Sequence, residues 1–359
     1  MIIGRRLAVV IILYLILCAS GAQAAQIYTA EHDANGARVI FNAQVDRQKK
    51  SDAQALRVRI MEWPEAQLES IFFEGRDVDL KADGGVVEYI NEQDASLTVY
   101  DGMISYRAKE LDSEYRFAMY RAAHENWNRR GEIAGYALEE AYAQVKVLCE
   151  KLGVKAGEIV AYTAMDAANR ADALALREER LREHEALLAS VGEFLAPWTA
   201  PSSADWQEGY YLSVVFDYDG LSCLRQPTWL NSFNRHVFGS GAYFFVTKQD
   251  GVLYMESHEP SACYEIMEVG AAESRASISM EQAVKAVVET YGQVILQKPV
   301  EIGRIAYEYV PIPIKKTQKE YKLQPAWCFY PINAEEAYAV DADFLAPVFI
   351  NAFNGKEIK

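Results

Sequence analysis

The side chains that most often do chemistry are present in this 359-residue chain, but not at spacings that complete a known set. Zinc-protease chemistry needs two histidines four apart on a helix with a glutamate between them, and His124-Glu125 and His184-Glu185 both lack the second histidine. A serine nucleophile elbow would read Gly-x-Ser-x-Gly. The nearest approach, Gly239-Ser240-Gly241, lacks the flanking residues and reads as a flexible turn. Asp217-Tyr218-Asp219-Gly220 resembles the start of a calcium loop, yet the downstream oxygen ligands and the closing glutamate are missing, so a hairpin turn is expected there. Glu139 with Glu140, and Glu178 with Glu179, point about 100 degrees apart on their helices and read as solvated faces rather than acid/base partners. No catalytic, cofactor-binding or metal-binding residue is assigned.

Two groups of residues stay open as functional candidates. Tyr210, Tyr211, Trp229, Phe233 and Tyr243 form an aromatic-rich stretch that could offer a surface to a ligand or partner, or fill a sheet core at period two. His236 with Asp217 or Asp219 and Ser222 is the first place to look for an envelope hydrolase. Cys149, Cys223, Cys263 and Cys328 show no C-x-x-C pair and sit among apolar neighbours, as small buried hydrophobes do. A Cys223 to Cys263 disulfide is the pairing left open after export.

The address comes from the N-terminus. Arg5 and Arg6, the apolar run Leu7 to Leu17 and the small residues of Ala22-Gln23-Ala24 make a secretory signal over residues 1–24, with Ala25 as the mature N-terminus. Ser20, Gly21 and Gln23 end the run short of the ~20 apolar residues of a membrane span. Cys18 directly follows the run and is a possible lipidation site, although bacterial lipoproteins carry a small residue where Leu17 stands. The expected location is extracytoplasmic, secreted or tethered to the outer face of the cytoplasmic membrane. The net charge of −15, more negative once Arg5 and Arg6 are removed, repels phosphate polymers and argues against nucleic acid as a partner.

The elements that must position any site are of mixed type. Residues 25–125 read as an antiparallel β-rich unit: Val39, Phe41, Ala43 and Val45 alternate with polar residues, as do Leu56, Val58 and Ile60, and Asp101-Gly102 is a hairpin turn. Trp63-Pro64-Glu65 opens a short helix. Over 126–275 a helix is expected at 132–152, a strand at 158–164, a charged helix at 168–188 laid over the surface on a thin stripe of Leu174, Leu181 and Leu188, and then aromatic strands. Over 276–359 a helix opens at Ser279 and three strands follow, with a turn at Asn354-Gly355. Leu138-Glu139-Glu140-Ala141 matches Met280-Glu281-Gln282-Ala283, and each helix leads into strands, so the expected fold class is α+β: an N-terminal antiparallel unit followed by two related helix-on-antiparallel-sheet modules.

The C-terminal runs Tyr307 to Ile312, Tyr321 to Phe329 and Val348 to Ile358 resemble the tail of exported Gram-positive proteins of unknown function, often lipoproteins. The ending is also similar to PepSY modules and to membrane-linked regulators of a cell-wall histidine kinase. That resemblance implies a cystatin-like helix-on-sheet fold and a non-enzymatic, binding or regulatory role at the bacterial cell surface, and it carries over no catalytic residues. The expected activity is therefore binding of a protein or peptide partner, with no cofactor. The alternatives are an envelope hydrolase and a structural surface spacer.

Overall fold

The computed structural model describes residues 26–34, 37–46, 53–74, 76–83, 85–91, 95–108, 111, 131–190, 208–224, 228–230, 235–237, 239–258, 262–270, 277–293, 299–314, 319–332 and 347–359. In chain order the strands and helices are β1 (Gln26–Ala34), β2 (Ala37–Val45), β3 (Leu56–Ile60), α1 (Glu65–Phe72), β4 (Val78–Asp83), β5 (Val86–Asn91), β6 (Ser96–Tyr100), β7 (Met103–Arg107), α2 (Leu138–Lys151), β8 (Ala156–Met165) and α3 (Ala167–Ser190). They continue with β9 (Gly209–Tyr218), β10 (Leu221–Ser222), β11 (Thr228–Leu230), β12 (Arg235–Val237), β13 (Gly241–Thr247), β14 (Gly251–Ser257), β15 (Tyr264–Val269), α4 (Met280–Tyr291), β16 (Val300–Pro313), β17 (Glu320–Pro331), β18 (Val348–Asn351) and β19 (Glu357–Ile358).

These elements form two units that do not follow the expected division at 125 and 275. The first gathers residues 1–59, 219–238 and 266–359, and the second gathers 60–218 and 239–265. The reason is pairing between strands distant in sequence. β2 lies parallel to β16, with Val39 opposite Val300, and β3 lies antiparallel to β17, with Val58 opposite Tyr321. Alternation along β2 and β3 reveals that each has one buried face, but not which strand completes its ladder.

In the first unit, β16 and β17 are long strands paired along most of their length. β2 occupies the outer edge of β16 at one end, and Cys223 bridges to Tyr309 further along. On β17, β3 and β18 dock one after the other. α4 covers one face, packing on β1, β2, β17, β18 and β19, and Trp327 donates its indole N–H to the Ile278 carbonyl at 3.1 Å. Its start is fixed as the sequence suggests: Ser279 and Gln282 make a reciprocal capping box. Ala283, Val284, Val287 and Tyr291 are its buried side.

The second unit is an antiparallel sheet in the order β8-β9-β13-β14-β7-β6-β5-β4. Asp101 and Gly102 both have positive φ, which turns β6 into β7 with the twist the strands require. α2 packs across β8, β9, β13 and β14 through Ala141, Val145 and Cys149. On α3 the fully buried residues are Asn169, Ala173 and Arg177, while the expected stripe of Leu174, Leu181 and Leu188 is half-buried. The small Ala173 lets the helix approach, and Asn169 reaches the Ala164 carbonyl.

Both units thus hold a helix followed by four antiparallel strands, α2 with β8, β9, β13 and β14, and α4 with β16, β17, β18 and β19. The fold class is α+β, as the internal similarity of the two helices implies.

Candidate ligand-binding site

Tyr210 and Tyr211 do not offer the aromatic surface allowed for above, because they are 1% and 0% exposed. The Tyr210 hydroxyl accepts from the Ile133 amide and donates to the Tyr136 carbonyl, each at 3.0 Å, so its polar end is satisfied in the core. Tyr211 lies between Tyr243 and Tyr254, stacked with ring centroids 6.1 Å from each. Period-two aromatics here fill the sheet interior, and half-buried Tyr243 packs on the His258 ring at 4.3 Å. Trp229 pairs through its backbone with His236 in the β11–β12 hairpin. The side chains of Trp229 and His236, and all of Phe233 and Cys18, lie outside the described residues.

Of the remaining hydrolase candidates, Asp217 forms an ion pair with Lys155 at 3.3 Å, and Ser222 is buried. Cys149, Cys223, Cys263 and Cys328 are buried free thiols, so the Cys223 to Cys263 disulfide is absent. Burial pushes the Cys149 thiol up to about 12 and raises Cys223, Cys263 and Cys328 as well. A thiol held protonated is a poor nucleophile.

The fold also assembles polar groups that the sequence shows no sign of. Ser213 on β9 places its hydroxyl 3.1 Å from Nε2 of His258, which follows β14. Gly241 makes room for that ring: a Cβ there would stand 2.8 Å from two ring atoms and 2.6 Å from the Val214 carbonyl oxygen. The pair has the composition of a nucleophile and base, but both residues are buried, and it reads as a polar tie inside the sheet. In the first unit, Arg304 donates to Asp46 at 2.8 Å and to Glu308 at 2.6 Å, and Tyr330 donates to Glu308 at 2.5 Å. Burial opposes the charge on Arg304, and Glu308, Tyr330 and Asp46 overcome it and hold the guanidinium protonated. Such a network is fully engaged with itself.

Among the described residues, a cavity of about 550 Å³ lies within the second unit. It arises from how α1 and α2 meet. Trp63 Nε1 donates to the Leu152 carbonyl at 2.8 Å and Gln67 Nε2 to the Lys151 carbonyl at 3.0 Å, which ties the start of α1 to the end of α2. Beyond the tie, Ile71, Phe72 and Phe73 form one wall, and Gln144, Val147, Leu148 and Lys151 form the other. The floor is built from Tyr106, Ala108, Val252 and Leu253. A β-bulge shapes it: Phe245 pairs with Tyr254 and Val246 with Val252, so Leu253 is the extra residue on β14. The Phe72 and Tyr106 rings are tilted by 35° with centroids 4.6 Å apart.

The rim is charged. Glu74 and Arg76 form an ion pair at 3.2 Å, while Lys151 and Asp250 stand elsewhere on the lining. Glu74 has a φ of 55°, a position where glycine would avoid the strain carried by a side chain. Asn91 and Gln144 bring amides. The volume falls in the range of small-molecule sites, and the lining exposes more polar than apolar surface. None of the sequence candidates lies here, because the lining comes from five separate stretches of chain.

No family model and no curated protein matches the chain. Among solved structures it is similar to an uncharacterized protein from Eubacterium rectale ATCC 33656, at 10% identity over 92% of this chain and 93% of that one, with a TM-score of 0.59. That likeness is one of fold. A weaker similarity, at 9% identity and a TM-score of 0.30, reaches the Bacillus megaterium YpeB C-terminal domain over 84% of this chain and 97% of that one. Among the described residues no helix is long and apolar enough to cross a membrane.

Proposed function

We propose that the chain is an exported, non-catalytic binding protein that acts at the bacterial cell surface and takes a protein or peptide partner. The observation that carries this reading is the cavity between α1 and α2, with its apolar floor and its rim of both charge signs. Val147 supports it, since 52% of this apolar residue is exposed on the cavity wall. The signal sequence at residues 1–24 supports export, and the C-terminal resemblance to PepSY-like modules agrees with a regulatory role. The partner surface moves from the aromatic stretch to the cavity, because Tyr210 and Tyr211 are core residues.

The test is retention of peptides from a digest of exported proteins on the immobilised mature chain. Val147→Asp, at an exposed helix position, is expected to reduce retention strongly while leaving the melting temperature near wild type. Equal retention by both proteins would overturn the cavity as the site. Release of cleaved peptides, abolished by Ser213→Ala or by His236→Ala, would overturn the non-catalytic reading.

A further inference from the structure

Exposed apolar side chains are most concentrated, among the described residues, on β15. Ile266, Met267 and Val269 are 40%, 47% and 51% exposed within one short stretch. Single apolar residues on a surface are ordinary, whereas a contiguous group marks a place that a partner covers. β15 also ends its ladder, since among the described residues it pairs with β3 alone. Edge strands are commonly guarded by lysine, proline or several charges. β4, at the end of the other sheet, carries Asp79, Lys81 and Asp83, but β15 holds no lysine, arginine or proline. We propose that β15 is a docking edge: an extended peptide with a lysine or arginine between apolar residues adds to it as a further strand. None of the residues Ile266 to Val269 lines the cavity, so this surface goes beyond the one described above.

The main chain sets which side of β15 is open. Met61 N–H donates to the Cys263 carbonyl and Gly270 N–H to the Ala55 carbonyl, each at 2.9 Å, which ties both ends of the strand to the β3 segment. Tyr264 faces the other way, its amide donating to the Tyr218 hydroxyl at 3.1 Å. Peptide groups alternate in direction along a strand, so Ile266 and Glu268 turn their N–H and C=O groups the same way as Tyr264, onto the edge. An added strand bonds to such groups. Side chains alternate too: Met267 and Val269 share one face, and Ile266 and Glu268 share the other. The guest therefore brings apolar residues opposite Met267 and Val269 and a cation opposite Glu268. Arg57 on β3 is committed to Glu320, at 3.0 Å from Nε and 2.6 Å from Nη2, and Glu268 acts on it only as a secondary charge. A second copy pairing through the same strand brings no cation, because β15 has no basic residue. A strand about 20 Å long also offers less than the roughly 800 Å² per partner that a stable dimer buries.

The experiment is fluorescence polarisation of the labelled, end-capped peptide Thr-Val-Lys-Val-Val-Thr, and of its counterpart with glutamate in place of lysine, on the mature chain. Wild type should bind the lysine peptide about fivefold more tightly than the glutamate peptide. Ile266→Pro removes an amide that faces the edge and leaves the ladder with β3 intact, so it should bind neither peptide while keeping its melting temperature. Glu268→Lys, at an exposed side chain, should reverse the preference. Val147→Asp, on the cavity wall, should leave both affinities unchanged. Binding lost in Val147→Asp but kept in Ile266→Pro would overturn the docking edge and leave the cavity reading standing. No binding of either peptide by wild type, or an unreversed preference in Glu268→Lys, would also overturn it. So would a wild-type dimer in sedimentation that Ile266→Pro turns into a monomer, since the edge would then belong to a second copy.

Discussion

The indole of Trp63 donates to the main-chain carbonyl of Leu152 at 2.8 Å, so the residue before Pro64 holds the end of α2 beside the start of α1. Trp63→Phe keeps the ring but leaves that carbonyl without its donor. The expected cost is about 1 kcal/mol in urea unfolding, accompanied by weaker peptide binding. A variant with unchanged midpoint and affinity would show that the tie does not shape the cavity.

Gly241 is needed for the space it leaves. In Gly241→Ala the new methyl would meet the His258 ring and the Val214 carbonyl oxygen, both closer than 3.0 Å. Overpacking of this kind costs roughly 1–3 kcal/mol. Thermal unfolding measures it, and a melting temperature equal to wild type would contradict the placement of the ring.

The buried thiols predict behaviour at high pH. In the unfolded chain a cysteine ionises near its ordinary value, whereas folded Cys149 keeps its proton to about 12. Between those values the folded state binds more protons than the unfolded state, so stability falls as pH rises through this window. Cys149→Ala should flatten the alkaline decline in the urea midpoint. In the same vein, a thiol reagent should label none of the four cysteines in the native chain and all four in denaturant.

At Gly355 φ is 68°, and a Cβ added there would make only an ordinary contact, with Ile278 Cδ1 at 3.8 Å. The cost of Gly355→Val is therefore chiefly backbone strain, expected at about 1–3 kcal/mol. An unchanged melting temperature would mean that β19 contributes nothing to the sheet.

For export, intact-mass analysis of the protein recovered outside the cell should give a chain beginning at Ala25. A lipid on Cys18, or a full-length chain in the membrane fraction, would change the address.

Local features of this fold were readable from sequence wherever their cause is local. Asp101-Gly102 and Asn354-Gly355 mark turns because their backbone demands are met within a few residues, and Ser279 with Gln282 announces a helix start for the same reason. The partnership of β2 with β16 was not readable, since a buried strand face carries no record of which edge it joins. Nor was the cavity. It needs a bulge at Leu253, a tie from Trp63 and a gap between helices, none of which has a signature in residue type.

The parallel pairing of β2 with β16 also sets an order of events. A chain emerging N-terminus first can close the β1–β2 hairpin at once, with Ala34 opposite Ala37, but Val39 must wait for Val300. Until nearly the whole chain has appeared, β2 presents an open strand edge carrying Val39, Phe41 and Ala43. Pairing over so long a loop is slow, and an exposed edge of this kind invites intermolecular pairing. The second unit, complete by Glu265, has no such wait, so it should gain protease resistance while the first is still being assembled.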